Sequence, residues 1–238
     1  MISIIIPTLN EENNLKRILD PIKNSKFKDY EVIIADAGST DGTLKVASDY
    51  GCIITKGGLP AKGRNSGAQI AKGDIFLFLD ADIDIRPYDF LYQASKRFNE
   101  KKLDIASFPI YPQKNNLYMN PFTLNIFYNI PQFIFQDIFP MGAMGIMVKK
   151  ELFEKVGGFD ETISLAEDHY FIRQADITGK FGIISSVRIY MPLRRFETDG
   201  YFRTAFKYLF CGIRLIFSKP TKNVKYDFGH YKDNNKKK

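Results

Sequence analysis

Four short apolar runs alternate with segments of helical periodicity in the first eighty residues. The runs cover residues 3–6, 32–35, 52–55 and 75–79. Strands that alternate with helices predict βαβ units and a mostly parallel sheet. In such sheets, ligands bind outside the carboxyl ends of the strands. We therefore expect an α/β fold whose ligand site is formed by the residues that follow these runs.

Later elements are predicted from shorter patterns. A glycine-rich connection leads into a helix over residues 64–71, and apolar runs predict single strands over 105–110 and 181–189. A further helix is predicted to begin at Glu167. With 238 residues, 45% of them hydrophobic, and with no repeat or linker, the chain suits a single α/β domain with a sizeable core.

Cysteine and histidine are too rare to build two common kinds of site. The chain has only Cys52 and Cys211, and only His169 and His230. A disulfide framework and a histidine-rich zinc site are therefore not expected. The N-terminus lacks a basic stretch followed by a long apolar run, so no signal peptide is expected, and the default compartment is reducing.

Directly after the fourth apolar run, every second residue is an aspartate: Asp80, Asp82 and Asp84. Carboxylates at this spacing suit Mg²⁺ or Mn²⁺, which prefer oxygen ligands. Such a metal would neutralise charge that develops on a diphosphate. The alternative is a polar strand end whose acids cap the next helix, and spacing alone does not separate the two.

Other polar residues follow predicted strands or loops. Asp36 ends the second run, where a carboxylate can accept hydrogen bonds from a nucleobase or ribose, or from its own turn. Arg64 follows the glycine-rich connection, as a phosphate ligand or a solvated helix residue. Arg194 and Arg195 have the same two interpretations.

Glu167 and Asp168 form an acidic pair after a turn. A carboxylate that faces a cleft can act as a general base on an acceptor hydroxyl. The alternative is the ordinary preference for negative charge at the start of a helix.

Six segments occur in a fixed order along the chain, and together they are more specific than any one alone. They are residues 3–12 (SIIIPTLNEE), 34–43 (IADAGSTDGT), 63–67 (GRNSG), 78–82 (FLDAD), 157–161 (GGFDE) and the pair Glu167-Asp168. This set, across roughly residues 1–190, resembles the family 2 glycosyltransferases with the GT-A fold. The resemblance implies a three-layer α/β/α sandwich with a mostly parallel central sheet.

The resemblance also implies roles for the residues of the first half. Pro7, Thr8 and Glu11 would line a nucleotide pocket, and Asp36 would meet the base. Arg64 would lie near the base and the diphosphate. The donor would be a UDP- or GDP-sugar.

For the reaction itself, the resemblance makes Asp80 and Asp82 the DxD element, with Asp82 closest to Mn²⁺ or Mg²⁺. Asp84 falls where related dolichyl-phosphate sugar synthases have a third metal-side ligand, which would make it a metal ligand with Asp82, although those enzymes usually have Gln there. Asp168 matches the base of an inverting enzyme, with Glu167 beside it as a substrate-binding residue.

These roles imply a division of the chain. Residues 1–200 would form the catalytic domain, with a nucleotide-sugar half over 1–110 and an acceptor half over 111–200. The acidic pair favours a hydroxyl acceptor on a saccharide, including a lipid-linked one, over a lipid phosphate. A polyprenyl-phosphate sugar synthase remains an alternative.

Positive charge is concentrated after residue 200. Residues 201–238 contain ten Lys and Arg against two Asp, a net charge of +8, whereas residues 1–200 carry −1. Residues 201–217 combine an apolar periodicity with basic side chains, which predicts an amphipathic helix on an anionic membrane surface. A helix packed on its own domain is the alternative. We expect a cytoplasmic protein that is peripheral on the membrane face.

Residues 115–136 contain no charged side chain and many aromatic ones. They suit a second apolar contact beside the acceptor cleft, or an internal helix that roofs the site.

Two rival functions belong to other classes. A nucleotidyltransferase shares nucleotide-binding α/β architecture, but the 157–161 segment and the acidic pair argue against it. A nucleic-acid-binding protein would explain the basic tail, but the first 200 residues are slightly acidic and contain no nucleic-acid motif. No nucleic-acid partner is expected.

Overall fold

The structure is a computed structural model that describes residues 1–163, 166–201, 203 and 204, and the backbone alone of Arg195. The strands of this part are β1 (Ile2–Thr8), β2 (Tyr30–Asp36), β3 (Ile53–Lys56), β4 (Ile75–Leu79), β5 (Asp84–Arg86), β6 (Ile105–Ser107), β7 (Ile110–Pro112), β8 (Gly145–Lys149), β9 (Phe181–Ile183) and β10 (Arg188–Met191).

The helices are α1 (Glu12–Lys23), α2 (Thr43–Asp49), α3 (Pro60–Ile70), α4 (Phe90–Glu100), α5 (Pro121–Leu124), α6 (Ile130–Ile134), α7 (Lys150–Val156), α8 (Glu167–Asp176) and α9 (Arg194–Asp199). A π-helical turn over Asn125–Asn129 joins α5 to α6.

The large sheet has the strand order β3-β2-β1-β4-β8-β6-β9. Strands β3, β2, β1 and β4 are parallel, β8 is antiparallel to both its neighbours, and β6 is parallel to β9. The mixed α/β fold with a mostly parallel central sheet that the sequence predicts is therefore confirmed.

Two apolar cores flank this sheet. Side chains that alternate along β1 enter different cores, with Ile4 and Ile6 on one side and Ile5 on the other. Because β1 is buried on both faces, its sequence is continuously apolar rather than alternating. The result is the expected three-layer arrangement, with α1 on one face and α3, α7 and α8 on the other.

Helix α3 begins at Pro60, four residues before the predicted start. Proline suits the first turn, since its fixed φ is already helical and its missing N–H would have no helical partner there. Gly67 lets α3 approach β1 closely, because a Cβ at this position would lie 2.4 Å from Ile5 Cγ2.

Two strands predicted as single elements are each divided. The 105–110 run forms β6 in the large sheet and β7 in a small one, and the 181–189 run forms β9 and the start of β10. Pro109 lies between β6 and β7 and has no N–H for a ladder. The small sheet, β5-β10-β7, lies next to the acidic run that follows β4.

The predicted helix over residues 201–217 and the basic tail fall outside the described residues, except at residues 201, 203 and 204. Within the described part, no helix is both long enough and apolar enough to cross a membrane.

Candidate active site

The carboxyl ends of β1, β2 and β4 bring Thr8, Asp36 and Asp80 to one edge of the sheet. In the register of β1 and β2, Thr8 is opposite Asp36. Pro7 packs against α3, because a Cβ on Gly63 would lie 3.0 Å from Pro7 Cβ. The strand order thus places three sequence-predicted residues where an α/β sheet binds ligands.

Asp36 is buried and its carboxylate is held by its own loop. Thr8 Oγ1 donates to it over 2.9 Å, and the backbone N–H groups of Gly38 and Ser39 donate over 2.9 and 2.8 Å. Burial raises the pKa of Asp36, but hydrogen bonds from Ser39, Gly38 and Thr8 outweigh it and hold the pKa below its ordinary value. The carboxylate is therefore ionised and fixed.

Arg64 joins the end of β4 to the acidic pair. Its guanidinium donates to Asp80 over 2.8 Å and to Glu167 over 2.7 Å, while only 5% of its side chain is exposed. Burial would lower the pKa of Arg64, but Asp80, Glu167 and Asp168 raise it above its ordinary value. Arg64 therefore stays charged and fixes the distance between two predicted site segments.

The turn over residues 157–161 supports this arginine. Gly157 and Gly158 both have positive φ, and Arg64 Cζ lies 5.3 Å from the centre of the Phe159 ring. Asn65, which sequence reasoning missed, donates to the Phe159 carbonyl and accepts from its N–H, each over 2.9 Å. Its adjacency to Arg64 in the 63–67 segment was the available signal.

Glu167 and Asp168 occupy the first turn of α8, after Ala166 at a φ of 60°. Burial raises the pKa of Glu167, as does the charge of Asp168, while Arg64 opposes them. Asp168 Oδ1 accepts a hydrogen bond from the His169 N–H over 2.8 Å. The two carboxylates thus have different partners, and Asp168 lies within the field of Arg64 without a direct bond to it.

Negative charge accumulates around Asp82. Burial, Asp80 and Glu11 raise the pKa of Asp82 to about 6, against the opposing charge of Arg194. Burial likewise raises the pKa of Glu11, although its hydrogen bond from Asn14 opposes the change. Neighbouring carboxylates whose negative charge Arg194 offsets only in part suit Mg²⁺ or Mn²⁺, which prefer oxygen ligands.

Arg194, the first residue of α9, places its Nη2 3.8 Å from Asp82 Oδ2. This predicted phosphate ligand therefore lies beside the DxD segment. The side chain of Arg195 lies outside the described part of the structure, so its predicted role stays a prediction.

Asp84 is engaged elsewhere. Arg17 of α1 donates to its carboxylate over 2.6 Å. Among the described residues, no three His, Cys, Asp or Glu side chains are grouped closely enough to hold a metal ion. Mg²⁺ and Mn²⁺ often use one or two carboxylates together with substrate phosphates, so Asp82 and the Asp80 oxygen that does not accept from Arg64 fit such an ion without a third ligand.

Two further residues were missed by sequence reasoning because their role depends on tertiary contacts. Gln113 donates to the backbone carbonyl of Asp82 over 2.9 Å and to that of Tyr190 over 3.2 Å, so it fixes the DxD segment to the small sheet. The Tyr128 hydroxyl is buried without a hydrogen-bond partner in the described part of the chain, in the electrostatic field of Asp168.

Known proteins share this architecture. The profile described as "Glycosyl transferase family 2" matches residues 3–157. An uncharacterized glycosyltransferase from Haemophilus influenzae is 29% identical over 184 residues, which are 72% of this chain and 60% of the relative. Staphylococcus aureus TarS, a poly(ribitol-phosphate) β-N-acetylglucosaminyltransferase, is 32% identical over 113 residues, which are 43% of this chain and 20% of TarS.

Solved structures show the same fold. TarS residues 1–349 in complex with UDP-GlcNAc superpose with a TM-score of 0.64 at 24% identity, covering 80% of this chain and 58% of that one. The mannosyltransferase PcManGT from Pyrobaculum calidifontis, in complex with GDP-Man and Mn²⁺, has a TM-score of 0.61 at 23% identity and covers 77% and 54%.

The chain spans 60% or less of the length of each of these relatives. The profile match covers more than half of the chain, and it includes the strand-end aspartates and the DxD segment. The chain belongs to glycosyltransferase family 2 and has the GT-A fold.

Proposed function

We propose that this chain transfers a sugar from a nucleoside-diphosphate sugar to a hydroxyl of a saccharide, with inversion at the anomeric carbon. The observation that carries the proposal is the double contact of Arg64 with Asp80 and Glu167. Through it, the DxD segment and the acidic pair share one edge of the sheet, as a reaction between a diphosphate leaving group and an acceptor requires.

The donor would occupy the ends of β1, β2 and β4. Asp36, whose carboxylate already accepts from Thr8, Gly38 and Ser39, would fix the loop that lines the base, and Glu11 lies near Asp82 at the same edge. A UDP-sugar is the favoured donor, and a GDP-sugar is the alternative. The crystallised complexes of TarS with UDP-GlcNAc and of PcManGT with GDP-Man support a nucleotide-sugar donor.

The leaving group would lie near Asp82 and Arg194. Asp82 and Asp80 would hold Mn²⁺ or Mg²⁺, which when bound neutralises the charge that develops on the diphosphate. Arg194 lies on the same side and adds positive charge there. A further basic residue, Arg195, follows directly in the sequence.

Proton transfer is assigned to Asp168. As the acceptor oxygen attacks the anomeric carbon, it must lose its proton, and a carboxylate is a suitable general base. Arg64 holds Glu167 in place and leaves Asp168 bonded only to its own helix among the contacts seen. In this proposal Glu167 anchors the segment through Arg64 and Asp168 takes the proton, so each of the two adjacent acids has its own role.

The experiment is a screen of UDP- and GDP-sugars with the full chain, Mn²⁺ and a saccharide acceptor set. Release of nucleoside diphosphate that requires the metal supports the proposal. Release of pyrophosphate would instead indicate a nucleotidyltransferase. A lipid-phosphate acceptor, as in a polyprenyl-phosphate sugar synthase, would need little general base, so Asp168→Asn would then keep most of its turnover.

We also propose that the protein works at the cytoplasmic face of an anionic membrane. The net charge of +8 over residues 201–238 supports this location. Sedimentation of the full chain with anionic vesicles, weakened by salt, would support it.

A further inference from the structure

Residues 117–138 hold an unusual share of the exposed apolar surface. Of nineteen exposed large hydrophobic side chains in the described residues, ten lie in this stretch of 22. The most exposed are Leu117, Phe122, Phe127 and Ile138, at 73–83%. A concentration of exposed apolar side chains in one short segment indicates an interaction surface rather than ordinary scatter. This exposure favours the apolar contact over an internal helix that roofs the site.

A narrow cleft opens within this surface. Ile130, Phe133 and Ile134 of α6 are half exposed and also form one wall of the cleft. Pro109, Tyr111, Ile183 and Ser185 also line the cleft, together with Asn129, which directly precedes α6. The cleft is thus lined mainly by hydrocarbon and opens between α6 and the ends of β7 and β9.

Positive charge borders the apolar surface. Arg188 is exposed and lies with its Cζ 5.0 Å from the centre of the Tyr111 ring, on the wall of the cleft. Lys114 is exposed just before the uncharged stretch of residues 115–136. The apolar cleft and the neighbouring Arg188 guanidinium together complement a molecule that has an apolar chain and an anionic head group.

The described part of the chain ends at this surface. The centres of the Tyr201 and Tyr118 rings lie 5.1 Å apart, and Asn116 Nδ2 donates to the Tyr201 hydroxyl. Residues 205–238, which follow directly, contain nine Lys and Arg against two Asp. The described part of the chain thus ends beside the apolar surface, and the most basic part of the sequence follows it.

We propose that residues 117–138 form a docking surface for anionic membrane lipid, and that the cleft beside Phe133 takes a lipid hydrocarbon chain. A second copy of the chain fits less well, since a symmetric interface would bring two strongly basic segments together. A cover formed by residues 201–217 of the same chain, whose apolar periodicity also suits this surface, would leave the protein unbound to vesicles, which is one outcome of the test below.

This surface deepens the proposed function, on which its link to the acceptor rests. Tyr128 lies in the π-helical turn of the same stretch and in the field of Asp168. Phe139 follows directly after the surface, and Arg173 Cζ of α8 lies 5.0 Å from the centre of its ring. The surface therefore lies beside α8, the helix that begins with the proposed base.

The test is flotation of the full chain with vesicles of phosphatidylcholine, alone or with phosphatidylglycerol. Wild-type protein should float with the anionic vesicles. Phe127→Glu and Ile138→Glu should each reduce the partition coefficient at least about tenfold, since each removes a large apolar side chain from the contact. Tyr88→Glu and Ile177→Glu, equally exposed elsewhere, should change it less than about twofold.

Three outcomes would overturn the proposal. Wild-type protein that stays unbound with both vesicle types excludes lipid docking. Unchanged flotation of Phe127→Glu and Ile138→Glu assigns binding to the basic segment alone. A dimer that these substitutions dissociate, without flotation, assigns the surface to a second copy. Donor binding by the wild-type protein without vesicles is measured separately, so a failure of the proposed function is distinguishable.

Discussion

Arg64 donates a hydrogen bond to Glu167 over 2.7 Å although the two residues are 103 positions apart in the chain. The same guanidinium is bonded to Asp80, so one buried cation joins the strand end that precedes the DxD segment to the helix that begins with the acidic pair. The geometry between donor and acceptor groups therefore depends on this arginine.

Replacement of Arg64 should destabilise the fold as well as the site. Arg64→Gln leaves Glu167 buried without its cation, and we expect the free energy of unfolding to fall by about 3–5 kcal/mol. Arg97→Gln is the matched control, since it breaks an exposed pair with Glu100 and should cost below about 0.5 kcal/mol. Urea denaturation measures both. Equal effects would show that the Arg64 contacts contribute little to stability.

The strand-end aspartates were predictable, whereas the Arg64 bridge was not. Apolar runs that end at Asp36 and Asp80 are visible in the sequence, and parallel strands place their carboxyl ends at one edge. No periodicity relates residue 64 to residue 167, because that contact depends on how α3 and α8 pack on the same face of the sheet.

The sequence pattern also did not predict the small sheet. Runs 105–110 and 181–189 are mostly apolar, and apolarity alone does not show that a chain changes sheets at Pro109. The same limit applies to Asp84, whose spacing suggested a place beside Asp82, although Arg17 of α1 holds its carboxylate.

Asp36 should make stability depend on pH. Its folded pKa lies below its ordinary value of 3.8, so the ionised carboxylate contributes stability above that pH and loses it as the pH falls through the folded pKa. Asp36→Asn should cost about 1.5–3 kcal/mol at pH 7, because N–H donors then face an amide.

The difference in unfolding free energy between wild type and Asp36→Asn should shrink as the pH falls from 5 to about 2.5. Asp49→Asn, an exposed change in α2, should cost below about 0.5 kcal/mol at every pH. A difference for Asp36→Asn that stays constant with pH would mean that its hydrogen bonds do not favour the ionised form.

We expect metal binding to depend on Asp82 more than on Asp84. We expect Mn²⁺ with UDP to raise the melting temperature of the wild type, and a concentration of 100 times Kd corresponds to about 2.7 kcal/mol. Asp82→Asn should lose this stabilisation, whereas Asp84→Asn should keep most of it because Arg17 already occupies that carboxylate. The reverse ranking in thermal melts would identify Asp84 as the ligand.

Tyr128 offers a stability test with an unusual sign. Its buried hydroxyl has no partner within the described residues, so Tyr128→Phe should leave the unfolding free energy unchanged or raise it by about 1 kcal/mol. Tyr201→Phe, which removes the acceptor of the Asn116 hydrogen bond, should lower it by about 1 kcal/mol. A clear loss of stability in Tyr128→Phe would show that the hydroxyl is bonded in the folded protein.

We assign Asp168 as the general base of a sugar transfer, with Arg64, Asp80 and Glu167 holding the site together. Calorimetric donor binding and turnover of Asp168→Asn, with the donor that the screen selects, test this assignment. We predict an unchanged donor Kd and a turnover lower by about 10²–10⁴-fold. Turnover near the wild-type rate, or loss of donor binding in a folded variant, would contradict the assignment.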